Sequence, residues 1–240
     1  MEASPQHATV QSAFPLAAEL RRWARVIQML YLQRFKGFSV PAEPLFDPVS
    51  TPYFIEQLRE SSSYLEFGSG GSTILATELG KSFVTVESDP YFLTAVRKKI
   101  RESGFELEVP RQKLLRVDIG LTEAWGVPVF QKRTPARLAR WKRYATTPWE
   151  DGSNEFSPDL ILVDGRFRVA CALEAARRLR ARADWTLLMD DYAERPHYRV
   201  VEEFLDLVQM VGRMAVFRPR LGADLKRLED AIERHVGDFR

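Results

Sequence analysis

The chain has 240 residues, 45% of them hydrophobic and 28% charged, which fits one generous globular domain and excludes a disordered or low-complexity polymer. Lys plus Arg number 35 against 33 Asp plus Glu, and a net charge of +2 argues against a dedicated nucleic-acid binder. The lone Cys171 excludes an internal disulfide and a cysteine-based zinc site, and no apolar run approaches the ~20 residues that span a bilayer. Met1-Glu2 opens without a basic-then-apolar signal pattern, so the expectation is a soluble cytoplasmic protein with no membrane partner.

Residues 1–15 read as a loose surface tail. From Leu16 to Phe35, apolar residues recur at Leu20, Trp23, Ile27, Leu30 and Tyr31, with Glu19, Arg21, Arg22, Arg25 and Gln28 between them. That spacing predicts an amphipathic helix. A proline-punctuated stretch leads to a short helix near Phe54–Leu58, which closes an N-terminal helical extension over 1–59. From residue 60 to 240, strands and helices alternate. Strands are expected at Tyr64–Phe67, Phe83–Glu87, Lys113–Val117, Leu160–Val163, Trp185–Met189 and Arg213–Phe217. Helices are expected from the Gly68–Ser72 turn to Leu79, and over Pro90–Ser103, Val169–Ala183, His197–Val208 and Asp224–His235. Such alternation predicts an α/β fold: a doubly wound, mostly parallel Rossmann-like sheet covered on both faces.

The stretch 119–158 is too long for an ordinary connection. It holds Trp125, Trp141 and Trp149, and it has no acid between Gln131 and Trp149 while carrying Lys132, Arg133, Arg137, Arg140, Lys142 and Arg143. We read it as an inserted lid, helical in part over Pro135–Tyr144. Stacking aromatics among arginines keep RNA open as a substrate.

Glu66-Phe67-Gly68-Ser69-Gly70-Gly71-Ser72-Thr73 lies where the first strand turns into the first helix. Glycines there let the backbone turn sharply and bring helix N–H groups up to a ligand. Glu87 ends the next strand, at the spacing where a carboxylate accepts both hydroxyls of a ribose. A nicotinamide fingerprint needs a third glycine where Thr73 stands, and no Gly-Lys-Ser/Thr is present for a P-loop.

The acid-plus-glycine turn with its partner acid resembles motif I of the class I S-adenosylmethionine-dependent methyltransferases, and the likeness runs over about 60–217. Val163-Asp164-Gly165-Arg166-Phe167-Arg168 and Asp190-Asp191-Tyr192 resemble functionally unassigned bacterial methyltransferase-like proteins. The resemblance implies that Glu66, Gly68, Ser69, Gly70, Gly71 and Ser72 line the methionine part of the cofactor, Glu87 the ribose, Asp118 the adenine side and Asp164 the reaction centre. One departure stands out: the family closes its sheet with sixth and seventh strands, whereas this sequence after Phe217 reads mainly helical.

Methyl transfer to oxygen needs a positioned acceptor and a base or Lewis acid. Asp164 and His197 are the candidate catalytic residues, and Arg166, Arg168 and Tyr192 the candidate substrate residues. Asp164, Asp190 and Asp191 resemble the magnesium site of catechol-type O-methyltransferases, with the alternative that Asp190 caps a turn and Asp191 pairs with an arginine. The expected activity is S-adenosylmethionine-dependent methyl transfer to a small-molecule or saccharide-like acceptor at oxygen, with Mg²⁺ as a candidate second cofactor. A non-catalytic cofactor-binding module and an RNA methyltransferase are the rivals. The oligomeric state is not legible.

Overall fold

The computed structural model describes residues 14–150 and 156–239. The expected tail, including His7, lies outside the described residues except for Phe14 and Pro15, which already begin a helix. The elements in chain order are α1 (Phe14–Tyr31), α2 (Ser50–Glu60), β1 (Ser63–Phe67), α3 (Gly71–Glu78), β2 (Ser82–Glu87), α4 (Pro90–Glu102) and β3 (Gln112–Arg116). They continue with α5 (Pro135–Thr146), β4 (Leu160–Val163), α6 (Arg168–Arg178), β5 (Thr186–Met189), β6 (Leu205–Val211), β7 (Met214–Pro219) and α7 (Leu225–His235).

Seven strands form one sheet in the order β3-β2-β1-β4-β5-β7-β6. β1 to β5 are parallel, while β7 runs antiparallel to both β5 and β6. The order reverses between β1 and β4, and in such sheets ligands bind above the carboxyl ends of the strands at that switch point. β4 and β5 are buried at every position, as continuous Leu-Ile-Leu-Val and Thr-Leu-Leu-Met runs require when both faces are covered. Alternate residues feed two cores: Leu65, Val84, Ile161 and Leu187 on one face, Tyr64, Phe83, Leu162 and Leu188 on the other.

The sequence reading is corrected at the C-terminal edge. The expected helix over His197–Val208 is a 3-10 helix only from Pro196 to Glu203, and Leu205–Val211 is a strand. β6 and β7 form the hairpin that closes the sheet, so the departure from the family pattern disappears. β6 is an edge strand with Leu207, Val208 and Met210 turned to solvent, and its register slips between Leu207 and Gln209. Both features erase the alternation by which strands are read.

The stretch read as an inserted lid contains the β3-to-β4 crossover helix. α5 is capped by Thr134, whose hydroxyl accepts the Arg137 N–H, and Pro135 starts it. Trp141, Tyr144 and Ala145 of α5 are buried against the α6 side of the core, and the Trp141 indole N–H donates to the Ile119 carbonyl at 3.0 Å. α5 is therefore a layer of the core, and 119–134 lies ahead of it with Ile119 and Val129 buried.

The helical extension also differs in its packing. α2 sends Phe54 and Leu58 into the sheet core. α1 lies across the loops at the carboxyl ends of β2 and β3: Arg25 pairs with Glu123 at 2.7 Å, Trp23 meets Phe130 edge-on, and Gln33 beyond the helix donates to Asp89. Among its described side chains Val26 and Met29 are buried, whereas Leu20, Ile27 and Tyr31 of the expected apolar face are exposed. Among the described residues no helix is long and apolar enough to cross a membrane.

Candidate functional site

The glycine turn after β1 is built by Glu66. This carboxylate is fully buried and accepts hydrogen bonds from the hydroxyls of Ser72, Thr73 (2.6 Å) and Thr85 (2.9 Å). The Thr73 hydroxyl in turn accepts the Gly70 N–H at 3.0 Å. The residue standing in place of a third glycine thus locks the turn to β1. Burial pushes the Glu66 carboxyl up to about 7, against the pull of the three hydroxyls. Glu66 shapes the turn from beneath and has no surface to offer a ligand.

The three glycines are not equivalent. Gly68 has φ +100°, and a Cβ there would come within 2.8 Å of the Gly165 backbone, so the loops after β1 and β4 touch. A Cβ on Gly71 would sit 2.0 Å from the Glu43 carbonyl oxygen. Around Gly70 a Cβ would meet nothing within 4 Å, and its φ of 168° is open to any residue. The protein itself gives no reason for Gly70 to lack a side chain.

Glu87 extends from the end of β2 back to this turn. One carboxylate oxygen accepts the Ser69 hydroxyl at 2.9 Å, and the other accepts the backbone N–H of Ser88 at 2.6 Å and of Asp89 at 2.9 Å. Asp89 caps α4 by accepting from Tyr91 and Phe92. Asp118, after β3, is exposed; it accepts the Gly120 N–H and has Arg140 at 3.9 Å. Over these groups lies the 122–128 loop. A methyl on Gly126 would come 3.2 Å from the Ser88 hydroxyl and 3.4 Å from Arg166, and the next residue back, Trp125, is exposed at φ 62°.

At the ends of β4 and β5, Asp164, Asp190 and Asp191 do converge, with one carboxylate oxygen of each within 4.8 Å of the others. Arginines hold all three. Arg168 lies 3.0 Å from Asp164 and 3.2 Å from Asp191, Arg213 reaches Asp190 at 3.1 Å and Asp191 at 3.2 Å, and Arg195 reaches Asp191 at 3.2 Å. Three guanidiniums thus already neutralise the three carboxylates. The three acids of the expected metal site are thus brought together, but as an ion-pair cluster: a divalent cation would have to displace buried Arg168 and the Arg213 fork, a poor fit for Mg²⁺. Arg213, in the turn between β6 and β7, was missed as a site residue by the sequence reading, which made it the first residue of a strand and, with a helix before it, saw no hairpin to bring it to the β5 end. Its signal is the Gly212-Arg213 pair, a turn placed opposite two adjacent acids.

Arg168 is also not free for a substrate. Its side chain is 3% exposed and donates to the carbonyls of Gly165, Asp164 and Asp190 as well as to the carboxylates, tying the β4 and β5 ends together. Tyr192 is buried, donates its hydroxyl to Glu202 at 2.6 Å and packs on Phe217, so it belongs to the core. His197 is exposed, with its ring against Tyr198. Asp164 keeps 37% of its side chain open to solvent, yet burial pushes its carboxyl up to about 6 while Arg168 opposes the shift. A separate cavity of about 300 Å³, lined by Trp185, Phe204, Pro219 and Leu228, lies near the opposite ends of the strands and shares none of these residues.

The sheet order and the glycine turn at the switch point define a Rossmann-like α/β protein with its crevice above β1, β2 and β4. A methyltransferase-like protein from Silicibacter pomeroyi is 31% identical over 82% of this chain and 100% of its own, with a TM-score of 0.70. The chain belongs to the class I S-adenosylmethionine-dependent methyltransferase superfamily. More distant likenesses include an O-methyltransferase from Bacillus cereus (14% identity, 82% of this chain and 91% of that one, TM-score 0.48). A methyltransferase from Podospora anserina is also 14% identical (90% and 100%, TM-score 0.44). No protein-family model and no curated sequence matches the chain.

Proposed function

We propose that the chain transfers a methyl group from S-adenosylmethionine to an oxygen of a small or saccharide-like acceptor. Gly70 carries this reading: its missing side chain answers to no contact within the protein, so the space it leaves suits a ligand crossing the turn. When bound, S-adenosylmethionine supplies a methyl group made electrophilic by the positive sulfur. The chain's own residues do the rest. The N–H groups at the start of α3 face the methionine end, and Glu87 accepts the ribose hydroxyls while Ser69 and the Ser88 N–H fix its orientation. Asp118 takes the adenine side. Ser72 and Glu66 support the turn from within.

Asp164 is the acceptor's base in this reading. It is the open carboxyl of its cluster, its affinity for a proton is raised by burial, and Arg168 holds it in one orientation. Catalysis then consists of holding the acceptor oxygen in line with the methyl group and relieving it of its proton. His197 remains a rival base at the exposed start of the following helix. A binding module without turnover is the second reading, favoured by the commitment of Arg168 and the exposure of His197.

The test is calorimetric titration with S-adenosylmethionine and S-adenosylhomocysteine, using Gly70→Val beside wild type. Micromolar binding that weakens at least about tenfold in a normally stable Gly70→Val protein is expected, because the valine fills the open space. Equal binding by both proteins would contradict the Gly70 argument, and no binding by folded wild type would overturn the reading.

A further inference from the structure

The cluster at the β4 and β5 ends holds one cation too many. Arg166, Arg168, Arg195 and Arg213 gather around Asp164, Asp190 and Asp191. Arg168, Arg195 and Arg213 are each within ion-pair distance of a carboxylate, whereas Arg166 forms no ion pair among the described residues. One nitrogen of Arg166 donates to the Phe239 carbonyl at 3.2 Å, while its buried Nε has no hydrogen-bond partner. The groups that bear on it are the hydroxyls of Tyr144 and Tyr198 and the like charges of Arg168 and Arg195, and its own charge acts on the Asp164 carboxyl, with which it makes no ion pair. Burial, with the like charge of Arg168 next, draws its pKa down, as expected of a guanidinium largely removed from water. It stands two residues after Asp164, beneath the Gly126 loop.

We propose that Arg166 receives an oxyanion carried by the methyl acceptor: a carboxylate, phosphate or sulfate. The assignment rests on the methyl-transfer reading of this site. The charge count calls for one negative group, and a guanidinium with an unspent nitrogen matches a planar or tetrahedral oxyanion. Arg168 provides the contrast, since its donors are consumed by the chain itself.

The test titrates inorganic phosphate and acetate into S-adenosylhomocysteine-saturated wild type, Arg166→Gln and Arg166→Lys. Saturable millimolar binding is expected in wild type, weakened at least about tenfold in Arg166→Gln and partly kept in Arg166→Lys. The anion-free Arg166→Gln protein is expected to melt no lower than wild type, since it loses an unpaired buried charge; a clear fall would make the arginine structural and overturn the proposal. Anion binding that is absent, or equal in wild type and Arg166→Gln, would also overturn it. A parallel titration with 5′-methylthioadenosine tests the cofactor's own carboxylate. If Arg166→Gln weakened S-adenosylhomocysteine but not 5′-methylthioadenosine, the acceptor assignment would fall. Phosphate binding lost in Arg166→Gln by a protein that never binds S-adenosylhomocysteine would keep the anion site and remove the methyl-transfer reading.

Discussion

The two halves of the carboxyl rim solve the same electrostatic problem in different ways. Above β1 and β2, Glu66 and Glu87 are met by hydroxyls and backbone N–H groups, so the carboxylates are satisfied without cations. Above β4 and β5, Asp164, Asp190 and Asp191 are met by guanidiniums. Neutral donors leave the first half free to receive a cationic ligand such as a sulfonium, whereas the second half supplies its own cations. The two halves are joined where Gly68 and Gly165 touch.

The sharpest way to break this division is Arg168→Met. Removing a buried guanidinium leaves Asp164 and Asp191 facing each other without their shared cation, and the expected loss is about 3–5 kcal/mol of folding stability by denaturant titration. A loss under about 1 kcal/mol would show that the cluster does not depend on its internal arginine. Next in size is a pair of changes in one turn. Gly71→Ala drives a methyl into the Glu43 carbonyl and is expected to cost about 1–3 kcal/mol or more, while Gly70→Ala changes stability by under about 0.5 kcal/mol. Equal losses would remove the distinction between a glycine required by packing and one that leaves room for a ligand.

The pH dependence sharpens the first half. The Glu66 carboxyl rises from an ordinary 4.5 to about 7 in the folded protein, so between those values the folded state binds the extra proton. Its contribution to stability is present below pH 4.5 and falls as pH rises through about 7, by something on the order of 3 kcal/mol. Asp164, raised to about 6, adds a slope of the same sign from lower pH. Glu66→Gln is expected to flatten the upper part of the profile measured by thermal melts from pH 5 to pH 8; an unchanged slope would mean that the hydroxyls fully compensate burial. The smallest effect concerns Mg²⁺, which is expected to leave the melting temperature of wild type unmoved. A rise on adding millimolar Mg²⁺ would contradict the guanidinium-filled cluster.

The parallel core was legible because β4 is a continuous apolar run and β1, β2 and β5 are apolar but for Ser63, Glu66, Ser82, Thr85, Glu87 and Thr186, and the glycine turn was legible because Gly68-Ser69-Gly70-Gly71 follows directly on a strand. The β6 strand was not, because Tyr198 and Val201 of the 3-10 helix and Phe204 just after it run into Leu205 at helix-like spacing. α1 misled for a related reason: it carries apolar residues on more than one side, so periodicity found a helix but not its buried face. At the site, residue types and chain positions were readable. Charge partners were not, since the pairing of Arg213 with Asp190 spans 23 residues and depends on a hairpin the pattern conceals.

The most direct measurement is calorimetric titration of S-adenosylhomocysteine into EDTA-treated protein, repeated with millimolar Mg²⁺. The division of the rim predicts micromolar affinity that is the same in both and lost in Glu87→Ala. Absence of binding by folded protein, or binding that appears only with Mg²⁺, would contradict it.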